Sequence, residues 1–433
     1  MAEILPVKGW RYHERLSPSI EELSSPLFDV VSEKQRKALY SNPLNSIHLS
    51  VPIGENPVES AKELLHRWKM EEVLVQDKVP GIYVYYQYFK FPGQDIVSCR
   101  KGFIAQIKAY DWPEAVVLRH ENTIAKSVND RFDLLKETLF QSSATHGLYE
   151  DALHQLEPYM DQAMENPIYD IEDYQGVREV LAVIHDAPTI QKFVKLLQDK
   201  QVILADGHHR YEAAIALRKW GIANNPAHHG QEAYNYHMMY FTNALSKDLR
   251  ILPTHRMVSG ISCSEEEVLE RVKEWFTVRP LLDVEEIPEL IQQKPWSFGL
   301  VFQENAYKIS LKPEVFGQMD LSLPGVVKEV DLMVLHYFFL DKVLGFPLEE
   351  QRYSEQLHFE RSLHKCLGAV ESGKASLALI TKEISMQQVL EVCKSGYTMP
   401  QKSTYFYPKT LAGLLFASVE EEDFAFPYQV FQP

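Results

Sequence analysis

Cysteine is scarce and scattered: Cys99, Cys263, Cys366 and Cys393 are the four in 433 residues, far apart and without ligand-like spacing. That excludes a disulfide framework or a zinc ribbon and suits a reducing compartment. Basic charge is in deficit, with 44 Lys and Arg against 60 Asp and Glu and a formal net charge of −16. Nucleic-acid binding draws its affinity mainly from neutralising phosphates, and no concentrated basic patch offsets the deficit, so no nucleic-acid partner is expected. Long apolar runs are missing too. Residues 332–340 are broken by His336, and they fall well short of the ~20 residues that span a bilayer. The N-terminal stretch lacks the basic-then-apolar order of a secretory signal, and neither a repeat nor a low-complexity tract is visible. The expectation is a soluble, cytoplasmic protein with no membrane partner; the oligomeric state is left open.

The composition, 45% hydrophobic and 24% charged, is that of an ordinary globular chain. At roughly 150 residues per domain its length allows two or three domains. Residues 82–91 and 102–110 alternate apolar with polar or aromatic side chains, as strands do, and residues 115–118 and 202–205 read as short buried strands. Residues 130–141 carry Phe132, Leu135 and Leu139 as a helical stripe, and residues 211–220 and 332–343 also read as helices. Residues 264–276 predict an amphipathic helix opened by a capping box of Ser264 and Glu267. The fold class expected is α/β with a mixed sheet. Residues 1–257 form an N-terminal core and residues 258–433 a further α/β region, the boundary being soft.

The clearest feature is a strand that runs into a helix through Asp206-Gly207-His208-His209-Arg210. Strand ends that feed helix N-termini are common ligand sites in α/β proteins. Gly207 allows a tight turn, and the helix dipole with its free N–H groups favours an anion. Arg210 adds a planar fork for phosphate or carboxylate, and the histidines can donate hydrogen bonds or move protons. A purely structural role would have Asp206 cap the helix, His208 pair with Glu212 and Arg210 sit in solvent. Adjacent histidines on a helix point about 100° apart, so at most one shares a face with Glu212, and no protein-bound metal is expected.

Two further constellations carry chemistry. His120-Glu121-Asn122-Thr123, with Lys126 and Asn129-Asp130-Arg131 beyond, follows the strand at residues 115–118. A Glu beside a His can act as a general base, and Lys126 and Arg131 can hold negative charge. The alternative is a solvated loop with a helix cap at Asn129 or Asp130. Near the C-terminus, Lys402-Ser403-Thr404 precedes three aromatics and Lys409 without the glycines of a P-loop. This segment is expected either to pack back on the N-terminal core and reach the same cleft, or to be a packed strand with surface lysines.

These residues closely resemble, over nearly the whole chain, the bacterial and archaeal domain-of-unknown-function family numbered one thousand and fifteen. The matching segments include Ser25-Pro26-Leu27-Phe28-Asp29-Val30, Asn42-Pro43-Leu44-Asn45, Tyr83-Val84-Tyr85, His120-Glu121-Asn122-Thr123, Pro253-Thr254-His255-Arg256 and residues 399–409. The family's Pro-Pro-Tyr-Asp-Val lacks its tyrosine here, while Asp29 is kept. Asp-Gly-His-His-Arg is also similar to the Asp-Gly-x-His-Arg signature of the ParB and sulfiredoxin-like superfamily, which includes kinases of free serine. That resemblance implies a ParB/sulfiredoxin-like catalytic core and makes Asp206, His209 and Arg210 phosphate and substrate contacts.

The function expected is small-molecule phosphoryl transfer, with Mg²⁺ and ATP, ADP or pyrophosphate as possible donor and a small hydroxylated substrate. Glu121, Asp206 and His209 are the catalytic candidates. Asp29, His120, Thr123, Lys126, Arg131, Gly207, His208, Arg210, Lys402, Ser403, Thr404 and Lys409 are the binding candidates. A regulator that holds a nucleotide without turnover and a metal-assisted hydrolase are the alternatives.

Overall fold

A computed structural model describes residues 2–27, 31, 33–91 and 95–424, so Asp29 lies outside the described residues. The chain divides into two compact units. The first comprises Met1–Leu118, Thr123–Leu249 and Pro408–Pro433; the second comprises Arg119–Asn122 and Arg250–Tyr407. The path therefore passes between units four times, once on each side of the four residues from Arg119 to Asn122.

The described residues of the first unit build a nine-stranded mixed sheet. Its central strands, Ile82–Lys90, Val97–Lys108 and Tyr236–Asn243, pair antiparallel. Tyr236–Asn243 then pairs parallel with Thr145–Tyr149, which pairs antiparallel with Val202–Asp206. Both faces of the sheet are covered. Ile82, Val84 and Tyr86 enter one apolar cluster with Phe103 and Ile107. Tyr83 and Tyr85, pointing the other way, enter a second with Ile104 and Leu181. The alternation read from the sequence thus divides these residues between two buried faces, which is why aromatics stand where a half-exposed strand would carry polar side chains.

The second unit holds a six-stranded sheet in the order Phe276–Leu281, Ala306–Leu311, Ser297–Val301, Leu377–Ile380, His255–Val258, Leu357–Glu360. Every pair in it is antiparallel. Ser264 caps the helix Glu265–Trp275, and the capping box with Glu267 is complete. Residues 332–343 are helical, but only Asp331–Val334 is α; Leu335–Val343 is a π-helix. The helix expected at residues 130–141 begins earlier, spanning Ala125–Thr138 with Ile124 at its N-cap and no side-chain cap. Asn129 and Asp130 thus lie inside the helix and do not cap it. The amide of Ile124 is bonded instead to Nε2 of His209 at 3.1 Å, so a tertiary contact fixes this helix end. No helix among the described residues is long and apolar enough to cross a membrane.

Candidate functional site

Val202–Asp206 is apolar up to its last residue, and four of its five residues are buried. Its register against Thr145–Tyr149 shifts between Leu204 and Asp206, a bulge that re-aims the aspartate at the strand end. Gly207 follows with φ 87° and opens the helix His208–Asn224. A Cβ at Gly207 would meet Cγ2 of Thr145 at 2.7 Å and Nη2 of Arg210 at 2.8 Å. Glycine is required here both for the left-handed backbone and for the close approach of the guanidinium. Tyr211, Ala213, Ala214, Ile215 and Leu217 bury the inner face of the helix, which keeps the turn rigid.

Asp206 does not cap the helix. Its Oδ1 is in close contact with Nζ of Lys409, and its Oδ2 accepts from Nη2 of Arg210 at 3.2 Å. The three side chains are 14%, 13% and 10% exposed, so this is a mostly desolvated group of one anion and two cations. Burial by itself would raise the Asp206 carboxyl, but the charges of Lys409 and Arg210 hold it well below the usual carboxylate range. Nη1 of Arg210 also donates to Oγ of Ser143 and the carbonyl of Ala144, both at 2.8 Å, which fixes its fork. Nearby, buried His146 stacks on Tyr240 at 5.2 Å, and burial with the charge of Arg100 keeps it neutral.

The main chain that carries Lys409 is itself anchored. Arg100, 1% exposed, donates to the carbonyl of Pro408 and contacts Oε1 of Gln87. Gln87 donates to the carbonyl of Lys409 and to Oε1 of Glu179, both at 3.0 Å. Glu179 is fully buried, and burial raises its carboxyl to about 8 against hydrogen bonds from Tyr85 and Gln87 that lower it.

Around the turn, Thr123 donates to Oε2 of Glu212 at 2.5 Å, while His208 is 8% exposed. Arg131 joins Arg210 in lining a cavity of about 60 Å³ that also touches Ser142, Ser143 and His237. Arg131 reaches the carbonyl of Ser50 at 2.6 Å and is paired with Asp130. His237 is bonded to Thr145 at 2.9 Å, and burial with the charge of Arg210 lowers it to about 3. Lys126 is exposed in the first turn of its helix. His146, His237, Arg100, Gln87 and Glu179 were not anticipated as site residues. Their one signal is a polar or titratable side chain inside an apolar strand run.

The other candidates belong to the second unit. His120 is fully buried; its Nε2 lies 2.7 Å from Oγ1 of Thr404, and its carbonyl accepts from the amide of Met399 at 2.8 Å. Ser403 is buried and donates to the carbonyl of Pro400 at 2.6 Å, so its hydroxyl closes a turn. Lys402 is exposed with φ 56°, and Glu121 directs its charge at buried Arg256. The segment 399–409 is therefore divided: up to Tyr407 it belongs with His120, and from Pro408 it enters the first unit, where Lys409 meets Asp206. Among the described residues, no group of three or more His, Cys, Asp or Glu is placed to hold a metal ion.

A family model described as "Protein of unknown function (DUF1015)" matches residues 4–333. No curated protein matches the chain. Eight solved chains do. One is a free serine kinase in complex with AMP, at 15% identity and TM-score 0.39, covering 77% of this chain and 98% of that one. A conserved hypothetical protein from Pyrococcus furiosus matches at 14% and 0.37, covering 74% and 96%. SbnI with a C-terminal truncation from Staphylococcus aureus matches at 10% and 0.37, covering 76% and 95%.

Proposed function

This chain belongs to the DUF1015 family, and from its site geometry we propose that it is a small-molecule phosphotransferase whose donor phosphates dock at the Asp206-Gly207-His208-His209-Arg210 turn. The observation that carries the reading is the charge balance of the turn. One carboxylate, Asp206, is shared by two cations, Lys409 and Arg210, in a mostly desolvated place. These cations stand at the N-terminus of a 17-residue helix, where the dipole also favours an anion. Arg210 is pre-oriented by Ser143, Ala144 and Asp206, so it offers a fixed fork rather than a mobile charge.

In this reading Asp206 organises the cations. A carboxylate held so far below its ordinary range is a weak proton acceptor, since a general base works best near the operating pH. Arg210 and Lys409 neutralise the phosphoryl group, and His209, neutral while its Nε2 accepts from the amide of Ile124, can donate from Nδ1. Magnesium would arrive with ATP, ADP or pyrophosphate and be held largely by their phosphates and by water. The occupied state of Asp206 also favours a second reading, a protein that binds a nucleotide and turns nothing over.

Calorimetric titration with ATP, ADP and pyrophosphate tests binding. Phosphorus NMR of the same samples, incubated with free serine and other hydroxylated metabolites, tests transfer. Heat without a new phosphorus signal supports the binder; no heat from any donor removes both readings.

A further inference from the structure

A cavity of about 260 Å³ lies wholly within the second unit, away from any residue of the Asp206 turn in the lining. It falls below the ~300–1,000 Å³ of pockets that bury drug-sized ligands, so it fits a small metabolite. Met333, Leu357, Phe359 and Met399 give it an apolar wall, and His336 and Gln351 a polar floor; Arg352 also lines it. Behind the floor sits Arg256, fully buried, its guanidinium 5.3 Å from the ring centre of Phe359. Its donors go to Nε2 of His336 and to the carbonyls of Thr254, Gln401 and Lys402. All four partners are neutral. Since a guanidinium only donates, Nε2 of His336 is the acceptor and Nδ1 carries the proton, which it donates to Oε1 of Gln351 at 2.7 Å.

The positive charge is thus solvated by dipoles and is not cancelled at contact distance. Burial depresses Arg256 to about 9 against the pull of Glu121, and burial lowers His336 to about 3, so near neutrality the arginine stays charged and the histidine neutral. In a desolvated place such a charge acts on whatever enters the cavity above it. Glu349, the carboxylate at the lining, is exposed and its charge is screened by water. A second observation marks the place. His336 sits on the nine-residue π-helix Leu335–Val343, a rare element that recurs at functional sites. Here it seats the imidazole between Arg256 and Gln351.

We propose that this cavity binds a small carboxylate with an apolar body, the carboxylate drawn to Arg352 over the buried Arg256 charge and the apolar part laid on Met333, Leu357, Phe359 and Met399. The site goes beyond phosphoryl transfer and does not depend on it.

Fluorine NMR of the full chain with 4-fluorophenylacetate, and with its uncharged amide as isostere, tests the proposal. The acid should bind at least about tenfold more tightly than the amide. Arg352→Gln should bring the acid down to the level of the amide, and Phe359→Ala should weaken both. Lys374→Gln, exposed on the second unit and outside the lining, should leave the acid bound and serves as a folded control. The proposal is overturned if acid and amide bind alike, if neither binds at millimolar concentration, or if Arg352→Gln leaves the acid unaffected. Titration of the same samples with pyrophosphate reads the Asp206 turn separately, so failure there and failure here are distinct results.

Discussion

Replacing Asp206 by Asn keeps the shape of the turn and removes the carboxylate that Lys409 and Arg210 share. Lys409 and Arg210 then face each other with two positive charges and no carboxylate, in a place where each side chain is nearly nine-tenths buried. Two like charges ~5 Å apart at an effective dielectric of ~20 repel by roughly 3 kcal/mol. Breaking a buried pair from one side costs about 3–5 kcal/mol in measured cases, so a loss of that order is expected. Lys409→Met is different in kind. It leaves Asp206 and Arg210 as a balanced pair and removes one charge-assisted bond, worth roughly 1.5–3 kcal/mol and partly offset because no ammonium need be desolvated. The stability order should therefore be wild type, then Lys409→Met, then Asp206→Asn. The affinity order for pyrophosphate should run the other way between the variants, with Asp206→Asn binding at least as tightly as wild type and Lys409→Met more weakly. Hydrogen exchange followed by mass spectrometry over the helix His208–Asn224 reads the first unit alone, which matters because two units need not unfold together. If Lys409→Met proves the less stable variant, or binds pyrophosphate as well as wild type, the charge-balance reasoning is wrong.

Gly207→Ala should cost about 1–3 kcal/mol from the left-handed backbone, and should push Arg210 off its partners because the new methyl would lie 2.8 Å from Nη2; calorimetry should find weaker pyrophosphate binding. Arg210→Lys keeps the charge and loses the fork that holds Ser143, Ala144 and Asp206 together, so the same titration should weaken by about tenfold or more. Glu179 gives a pH signature. Its folded carboxyl, raised to about 8, keeps a proton that an unfolded chain releases near 4.5. The stability it contributes is complete below the lower value, is lost as pH rises through the window, and is flat above about 8. Glu179→Gln should flatten that loss in urea midpoints measured from pH 5 to 8.5, whereas an unchanged slope would mean the carboxyl is ionised in the fold.

What could be read from the sequence was local, and what could not was paired across distance. The capping box of Ser264 and Glu267 is complete because both partners lie within one helical turn. Val202–Asp206 was legible as an apolar run because it is buried on both faces of a sheet. The cap expected at Asn129 or Asp130 failed because His209, 85 positions away, holds the amide of Ile124 and sets the helix start. The strand expected from residue 102 begins at Val97, since Arg100 looks like a solvated residue and is in fact buried on the carbonyl of Pro408. The π-helix left no trace, because Leu335–Val343 is mostly apolar all round and its spacing cannot separate α from π. The partner of Asp206 was the least legible feature: Lys409 stands 203 positions away. Charge shows the same limit most clearly. A formal −16 over the chain argues against a large basic surface, yet fields from exposed charges fade within about 8 Å at physiological salt. At the turn two cations, Arg210 and Lys409, converge on the single carboxylate of Asp206, a local arrangement that the net charge of the chain does not foretell.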